Sequence, residues 1–381
     1  MIELKGIAWN HSRGFVSVVA TAQRYEERHP DVRITWEKRS LQAFADASLE
    51  DLATAYDLII MDHPHTALAA KERVLVPLDE HLPEAFLADQ AANSVGQSHP
   101  SYAFDGHQWT LATDAAAPIA TCRPDLMEAH RLDLPDTWEA LLDLARSGYV
   151  TVSLYPLDAL MHLYTVCETL GAAPFQSSDE VAPAEVMETA LLKLRELADL
   201  CGRECLRRNP IWTAEYMSRT TDKSAAYCPF AYGYSNYSRP GYAPHRLQAV
   251  DLVTLNGKPL RSVLGGAGIA VSAKSLHAPI AADYAAFTAS PEIQTGLYYD
   301  AGGQPGYRAA WTDERINRAS SDFFSNTLPT LDRALLRPAY SGYMSFQDAG
   351  TPVMRAFLAG QLTAIETINQ LNAIYKTSRE S

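Results

Sequence analysis

The spacing of apolar residues changes between two periods along the first sixty residues. Ile2 to Ala8 alternates like a strand, and apolar residues then recur at helical spacing from Phe15 to Tyr25 before His29 and Pro30 end the run. Val32 to Trp36 alternates again, 41–55 has a helical pattern, and 57–61 is a short, fully apolar strand. This β-α-β-α-β order predicts an α/β fold with a doubly wound, parallel layer.

The rest of the chain predicts a second α/β region that begins near Asp114. Asp105 and Gly106 form a turn between strands at 102–106 and 108–114. Beyond them the pattern predicts elements in βα order: a helix from Asp136 or Thr137 to Gly148, a strand at 150–154, a helix within 182–207, a strand at 262–272, and helices at 278–287 and 352–375. The segment 225–237 carries many aromatic residues among Gly, Ser and Asn and does not resemble an ordinary core strand.

Composition narrows the class of protein. A chain of 381 residues fits two lobes of roughly 150 to 200 residues. The net charge of −13 disfavours nucleic acid as a partner, and no apolar run is long enough to predict a membrane span. Five cysteines, an odd number, and an N-terminus without a signal-peptide pattern favour a reducing, cytoplasmic compartment.

Several motifs, in their order along almost the whole chain, resemble the family 1 extracellular solute-binding proteins of ABC importers, the maltose-binding class with the periplasmic-binding-protein fold. The motifs are Tyr102-x-x-Asp-Gly106 followed by 109–114, Leu134-Pro-Asp-Thr-Trp138 with 139–142, the glycine-rich 265–272, and 290–298 with Gly303-Gln-Pro305. Ala140 departs from the family pattern, which usually has an acidic residue there.

The resemblance implies two lobes joined by a hinge, with a ligand cleft between them and closure on binding. It places 1–113 and 263–305 in an N-lobe and 114–262 and 306–381 in a C-lobe. It also implies a periplasmic location, in contrast to the N-terminus and cysteines, and ABC permease subunits as partners if the protein is exported. We expect a monomer that binds a small molecule, with no cofactor, no bound metal and no enzymatic activity.

Loops at the carboxyl ends of parallel strands commonly bind ligands, which selects two segments of the first lobe. After the first strand come Trp9, a possible stacking platform, and His11 and Ser12 at a helix start, where Ser12 could equally be a plain N-cap. After the third strand come Asp62 and His63, for which hydrogen bonding to ligand and an ordinary loop role are both open. Asp114 is a candidate acceptor for ligand hydroxyl or ammonium groups, or a hinge hydrogen-bond partner.

Tyrosines supply the candidates of the second lobe, because they offer apolar area with a polar tip. These are Tyr155 at the end of the predicted strand, and Tyr232 and Tyr234 in the aromatic segment, for which core packing is the alternative. The aromatic residues favour a carbohydrate, whereas His11, Arg13, His63, Arg239 and Arg337 favour an anionic metabolite. Two other functions stay open: a signal-less cytoplasmic metabolite-binding or sensing protein, and an enzyme on the same scaffold.

Overall fold

The computed structural model describes residues 1–40 and 48–380. Within them the chain forms two compact units, one of residues 1–116 and 264–318 and the other of 117–263 and 319–381. Residues 114–116 and 306–318 thus group with the first unit, on the other side of the boundaries drawn from the sequence. The reason is backbone pairing, because the Ala115 N–H donates to the Gln304 carbonyl and the Gly306 N–H donates to the Thr113 carbonyl.

The first unit is built on a five-stranded sheet. Its elements in chain order are β1 (Ile2–Trp9), a π-helical turn (Ser12–Val16), α1 (Ser17–Arg28), β2 (Val32–Arg39), α2 (Leu49–Ala55), β3 (Leu58–Met61), a 3-10 turn (His63–His65), α3 (Thr66–Glu72), α4 (Glu84–Ala92), the hairpin β4 (Ala103–Phe104) and β5 (His107–Gln108), β6 (Leu111–Ala116), then, after the second unit's first segment, β12 (Gly265–Val271), α10 (Ala278–Ala289), α11 (Pro291–Ile293), α12 (Arg308–Thr312) and α13 (Glu314–Ala319).

The strand order of this sheet is β2-β1-β3-β12-β6. β1 is parallel to both β2 and β3, as the β-α-β-α-β pattern predicts. β12 runs antiparallel to β3 and to β6, so β6 points in the same direction as β1 and β3. The helical pattern of 41–55 is observed as α2 from Leu49, and its first seven residues lie outside the described part of the chain.

The second unit contains a three-stranded antiparallel sheet surrounded by helices. Its elements are β7 (Pro118–Cys122), α5 (Pro124–His130), α6 (Trp138–Arg146), α7 (Pro156–Thr169), α8 (Ala184–Cys201), a 3-10 turn (Arg203–Leu206), α9 (Pro210–Arg219), β8 (Tyr227–Tyr232), β9 (Gln248–Val250), β10 (Thr254–Leu255), β11 (Lys258–Pro259), α14 (Phe323–Asp332), α15 (Tyr343–Leu358) and α16 (Ala364–Arg379). The three-stranded sheet has the order β8-β7-β9.

Three sequence predictions in this unit were wrong. Residues 150–154 form no strand, since only Val150 bridges to Tyr227 and the Leu154 N–H donates to the carbonyl of Cys205 instead of a strand. The single helix predicted at 352–375 is two helices, α15 and α16. Gly360 with a φ of +81° ends the first, and the capping box of Thr363 begins the second.

The aromatic segment also differs from the prediction, because its first half contains an ordinary buried strand. β8 pairs with β7, and Tyr227, Cys228 and Phe230 lie in the apolar interior of the unit.

The hairpin turn predicted in the first unit, between β4 and β5, is confirmed. Asp105 and Gly106 both have a positive φ, as a tight two-residue turn between antiparallel strands requires.

Candidate functional site

Polar side chains of the first unit converge on one edge of its sheet. β1, β3 and β6 end at this edge with Trp9, Met61 and Ala116, because the three strands run in the same direction. β12 starts at the same edge with Gly265. The loop after β1, the turn after β3 and the end of β6 therefore lie together, although they are far apart in sequence.

A buried ion pair joins two of these segments. Arg13 Nε donates to Asp114 Oδ2 at 2.8 Å, and a second guanidinium nitrogen donates to Oδ1, which makes the contact bidentate. The two residues are only 4% and 1% exposed. Burial raises the pKa of Asp114, while the Arg13 guanidinium opposes this rise. Both carboxylate oxygens of Asp114 thus accept hydrogen bonds from the protein itself.

Trp9 lies in the interior of the first unit. Its side chain is 4% exposed and belongs to the apolar cluster formed with α1 and the sheet. Gly14 packs against the ring, since a Cβ placed there would be 2.4 Å from the indole. The Arg13 guanidinium lies 5.9 Å from the ring centroid. The flat face that the sequence offers for stacking is covered by the loop that follows β1.

His11 organises that loop. Its Nδ1 accepts a hydrogen bond from the Arg13 N–H at 3.0 Å, so His11, and not Ser12, is the N-cap of the π-helical turn. An accepting Nδ1 places the proton of a neutral imidazole on Nε2, which is then a donor. His11 and Ser12 are half-buried. The loop thus holds Arg13 for Asp114 and keeps two polar side chains at the surface.

The turn after β3 adds a carboxylate to the same edge. Asp62 Oδ1 accepts from the His63 N–H at 2.8 Å and lies 3.2 Å from His63 Nδ1. The His63 ring is buried edge-on against Tyr102, whose hydroxyl donates to the Met61 carbonyl at 3.1 Å. Asp62 is half-buried, and its charge helps to raise the pKa of Asp114. Asp62 and Asp114 are therefore close enough to repel each other.

The tyrosines of the second unit have different surroundings. Tyr155 is half-buried at the N-cap of α7. Tyr232 is half-buried at the end of β8, where it pairs with Pro118. Tyr234 is 9% exposed within a small apolar cluster that includes Tyr237, and the Tyr237 hydroxyl donates to Glu215 at 2.8 Å. Tyr155 and Tyr232 consequently offer more surface than the other two.

The comparisons with known proteins identify the family. The sequence matches the family described as bacterial extracellular solute-binding protein over residues 20–318. The chain belongs to this family. No curated protein matches the sequence.

Solved structures confirm the two-lobed solute-binding fold. The chain is similar to maltose-bound MalE3 of T. maritima, with a TM-score of 0.82, 17% identity, and coverage of 99% of this chain and 100% of that one. It is also similar to a solute-binding protein of Agrobacterium radiobacter K84 in complex with ribitol, with a TM-score of 0.82, 16% identity, and coverage of 99% of this chain and 98% of that one. A solute-binding protein of Thermotoga lettingae TMO bound with α-D-tagatose has a TM-score of 0.82, 16% identity, and coverage of 100% of both chains.

Membership of the family confirms the resemblance deduced from the motifs, and the chain is a solute-binding component of the ABC-importer type. In the described part of this solute-binding protein, no helix has the length and apolarity that crossing a membrane requires. Nor do the described residues contain a group of three or more His, Cys, Asp or Glu side chains arranged to share a metal ion.

The sequence identified most members of the edge of the first unit but not how they are connected. The sequence favours Arg13 only as a cation for an anionic ligand, and nothing in a 101-residue separation indicates that Asp114 is its partner. Tyr298 is buried, which raises its pKa, and it lies near enough to Asp114 for that carboxylate to raise the pKa further. In the second unit Arg337 is buried and donates to Gln347 Oε1 at 3.4 Å.

Proposed function

We propose that this solute-binding protein takes up a neutral polyhydroxylated solute, a sugar or a polyol, for an ABC permease, and that it acts as a monomer without catalysing a reaction. The observation that carries the choice of a neutral solute is the bidentate ion pair of Arg13 with Asp114. Arg13 is a buried cation at this edge of the sheet, and its charge is already neutralised there by Asp114. An anionic solute would have to compete with a buried carboxylate for it.

The half-buried groups at the same edge suit hydroxyl groups. Asp62 is an acceptor, and His11 presents a donor when Nδ1 is occupied by the Arg13 N–H. A sugar hydroxyl both donates and accepts, so it can bond to either group, whereas Asp62 repels a carboxylate or phosphate. The ligands named for the similar structures, maltose, ribitol and tagatose, are all neutral and rich in hydroxyl groups, which supports the same choice.

We propose Asp62 and His11 as direct ligand contacts of the first unit, with Ser12 beside them, and Tyr155 and Tyr232 as contacts of the second. Trp9, His63, Asp114 and Tyr234 are buried, and their proposed role is to support the residues in contact. Trp9 packs against Gly14, His63 bonds to Asp62, and Asp114 holds Arg13. Tyrosine rings give apolar area to the less polar face of a sugar at small entropic cost.

Isothermal titration calorimetry with matched solutes tests the proposal. We expect saturable binding of at least one neutral sugar or polyol from a panel containing maltose, ribitol, mannitol and tagatose. Sugar acids of similar size, such as gluconate and galacturonate, are expected to bind at least about tenfold more weakly, because the Asp62 charge repels them. Tight binding of an acid with no binding of neutral sugars would overturn the proposal.

Paired variants then locate the site. D62N is expected to weaken binding by about ten- to a hundredfold, since a hydrogen bond to a charged group contributes about 1.5–3 kcal/mol. The matched control is D31N, which removes one exposed carboxylate from the same unit before β2. Equal effects of the two substitutions would remove Asp62 from the site. Y232A and Y155A test the second unit in the same way.

An enzyme would convert the bound solute, which chromatography of the recovered ligand would reveal.

A further inference from the structure

A groove in the second unit carries an excess of positive charge. It has a volume of about 280 Å³ and lies where the 3-10 turn Arg203–Leu206 faces the last turns of α15. Its lining comprises Arg203, Leu206, Arg207, Pro352, Arg355, Ala356, Ala359 and Gln361. Three of these eight residues are arginines, in a chain whose net charge is −13.

Two of the three guanidinium groups have no hydrogen-bond or ion-pair partner among the described residues. Arg207 lies 3.5 Å from Glu204 in a solvent-exposed pair. The side chains of Arg203 and Arg355 are exposed and make no hydrogen bond or ion pair with the described residues. The chain has 45 acidic residues, yet among the described ones only Glu204 pairs with an arginine of this groove. Three guanidinium groups against one carboxylate leave an excess of two positive charges.

We propose that this groove binds a phosphate group, either of a soluble diphosphate or of a phospholipid headgroup. A guanidinium donates two parallel N–H bonds, a geometry that matches the oxygens of a phosphate. A phosphate group carries at least one full negative charge at neutral pH, both in a phospholipid diester and in diphosphate, and the positive excess of the groove attracts it. Its volume of about 280 Å³ is several times that of one water, about 30 Å³, so a diphosphate fits together with solvent.

The remaining lining supports the same ligand class. Pro352 and Ala356 on α15 and Ala359 at its C-cap are short apolar side chains, so they do not compete for the arginine donors. Gln361 adds an amide that donates or accepts. The groove belongs wholly to the second unit and contains none of the residues proposed to contact the solute. Failure of one of the two proposals would therefore leave the other unaffected.

Isothermal titration of the full chain with inorganic diphosphate at low ionic strength tests the site. We expect saturable binding with one equivalent, and we expect R203Q/R355Q to weaken it by at least about tenfold because two charge-assisted contacts are lost. The control R246Q/R318Q removes the same charge from two exposed arginines outside the groove and should change the affinity less than about twofold. All four positions are exposed, so both variants should keep the native melting temperature.

A second arm identifies the source of the phosphate. Flotation with vesicles of phosphatidylcholine, with and without phosphatidylglycerol, is measured for the same three proteins. Loss of binding to anionic vesicles in R203Q/R355Q alone assigns the groove to a lipid headgroup, and diphosphate binding without vesicle binding assigns it to a soluble ligand. No binding in either arm would overturn the proposal. Equal weakening in R203Q/R355Q and R246Q/R318Q would also overturn it, because a general attraction of anions to surface arginines affects both double variants alike.

Discussion

Each unit buries an aspartate, and the two are kept in opposite charge states. In the first unit Asp114 faces Arg13, which donates to both of its oxygens. In the second unit Asp158 is 4% exposed, and its Oδ2 lies 3.0 Å from the Ser153 hydroxyl. Within the described residues, no basic side chain forms an ion pair with Asp158. Burial raises the pKa of Asp158 to about 8, so it is largely protonated at neutral pH.

The surroundings of Asp158 are consistent with a neutral cluster. His162 Nε2 donates to the Ser153 carbonyl at 3.0 Å, and burial lowers the pKa of His162 to about 3. The Ser153 hydroxyl also lies 3.1 Å from the Arg208 carbonyl. The cluster is thus formed from two neutral titratable groups, joined through Ser153.

This difference shows two ways to bury a carboxyl group. A charged carboxylate needs a cation, and in the first unit that cation comes from a loop 101 residues away, so the pair ties the β1 loop to the end of β6. A protonated carboxyl needs only hydrogen bonds, which Asp158 finds five residues away. The first solution depends on the fold of the unit, and the second depends on pH.

The largest expected loss of stability at neutral pH is that of D114N, which removes the anion and leaves Arg13 buried without its counter-charge. Removing one partner of a buried pair costs about 3–5 kcal/mol. We expect the free energy of unfolding to fall by this amount in urea denaturation. Hydrogen exchange measured by mass spectrometry should rise in 1–116 and 264–318 more than in the second unit.

The exposed pair of Arg146 and Asp143 supplies the control for D114N. Asp143 is 77% exposed, and its substitution D143N should cost less than about 1 kcal/mol, as surface pairs generally do. Similar losses in D114N and D143N would contradict the view that burial makes the Arg13 pair indispensable.

Most of the first unit could be predicted from the sequence because its signals are local. The alternation of 2–8 and 32–36, with a helical period between them, specifies a β-α-β unit whatever follows. The same logic places Trp9 and Asp62 at strand ends. The position of β12 between β3 and β6 has no such signal, since strand neighbours from residues 58 and 265 are chosen by tertiary packing.

The errors in the second unit have a similar origin. Residues 150–154 are apolar enough for a strand, but the backbone of Leu154 bonds to Cys205 and the carbonyl of Ser153 bonds to His162, two partners that pattern cannot reveal. Gly360 and the Thr363 to Glu366 capping box were, in contrast, visible signals of a helix break. The pairing of Arg13 with Asp114 could not be predicted, because charge complementarity alone leaves many partners for each arginine.

The second prediction is that D158N removes the contribution of Asp158 to the pH dependence of stability. Because the pKa of Asp158 rises from 3.8 to about 8 on folding, its contribution to stability is complete below about pH 4 and is lost as the pH rises to 8. Asparagine does not titrate. The free energy of unfolding of D158N relative to the native protein should therefore increase by about 1.4 kcal/mol per pH unit between pH 4 and 8.

His162 also contributes to how the free energy of unfolding of each protein, native and D158N, depends on pH. Its pKa falls from 6.5 to about 3 on folding, so its contribution is present above pH 6.5 and is lost as the pH falls. In the native protein the two groups oppose each other between pH 4 and 6.5, and Asp158 alone acts from 6.5 to 8. Urea denaturation at pH 5, 6.5 and 8, with D143N as control, measures this. A constant difference between D158N and the native protein at all three values would show that Asp158 is ionised when folded.

The smallest expected effect is that of R13K. This substitution tests whether the first unit needs the fork geometry of Arg13 or only its charge. Lysine keeps the positive charge but cannot donate two parallel bonds to Asp114. We expect a loss of about 1.5–3 kcal/mol, the worth of one hydrogen bond to a charged group, and therefore less than for D114N. The pH dependence assigned to Asp158 should be unchanged, because R13K alters no group of the second unit. A loss as large as that of D114N would mean that the bidentate contact, rather than charge neutralisation, is what keeps Asp114 buried in its charged form.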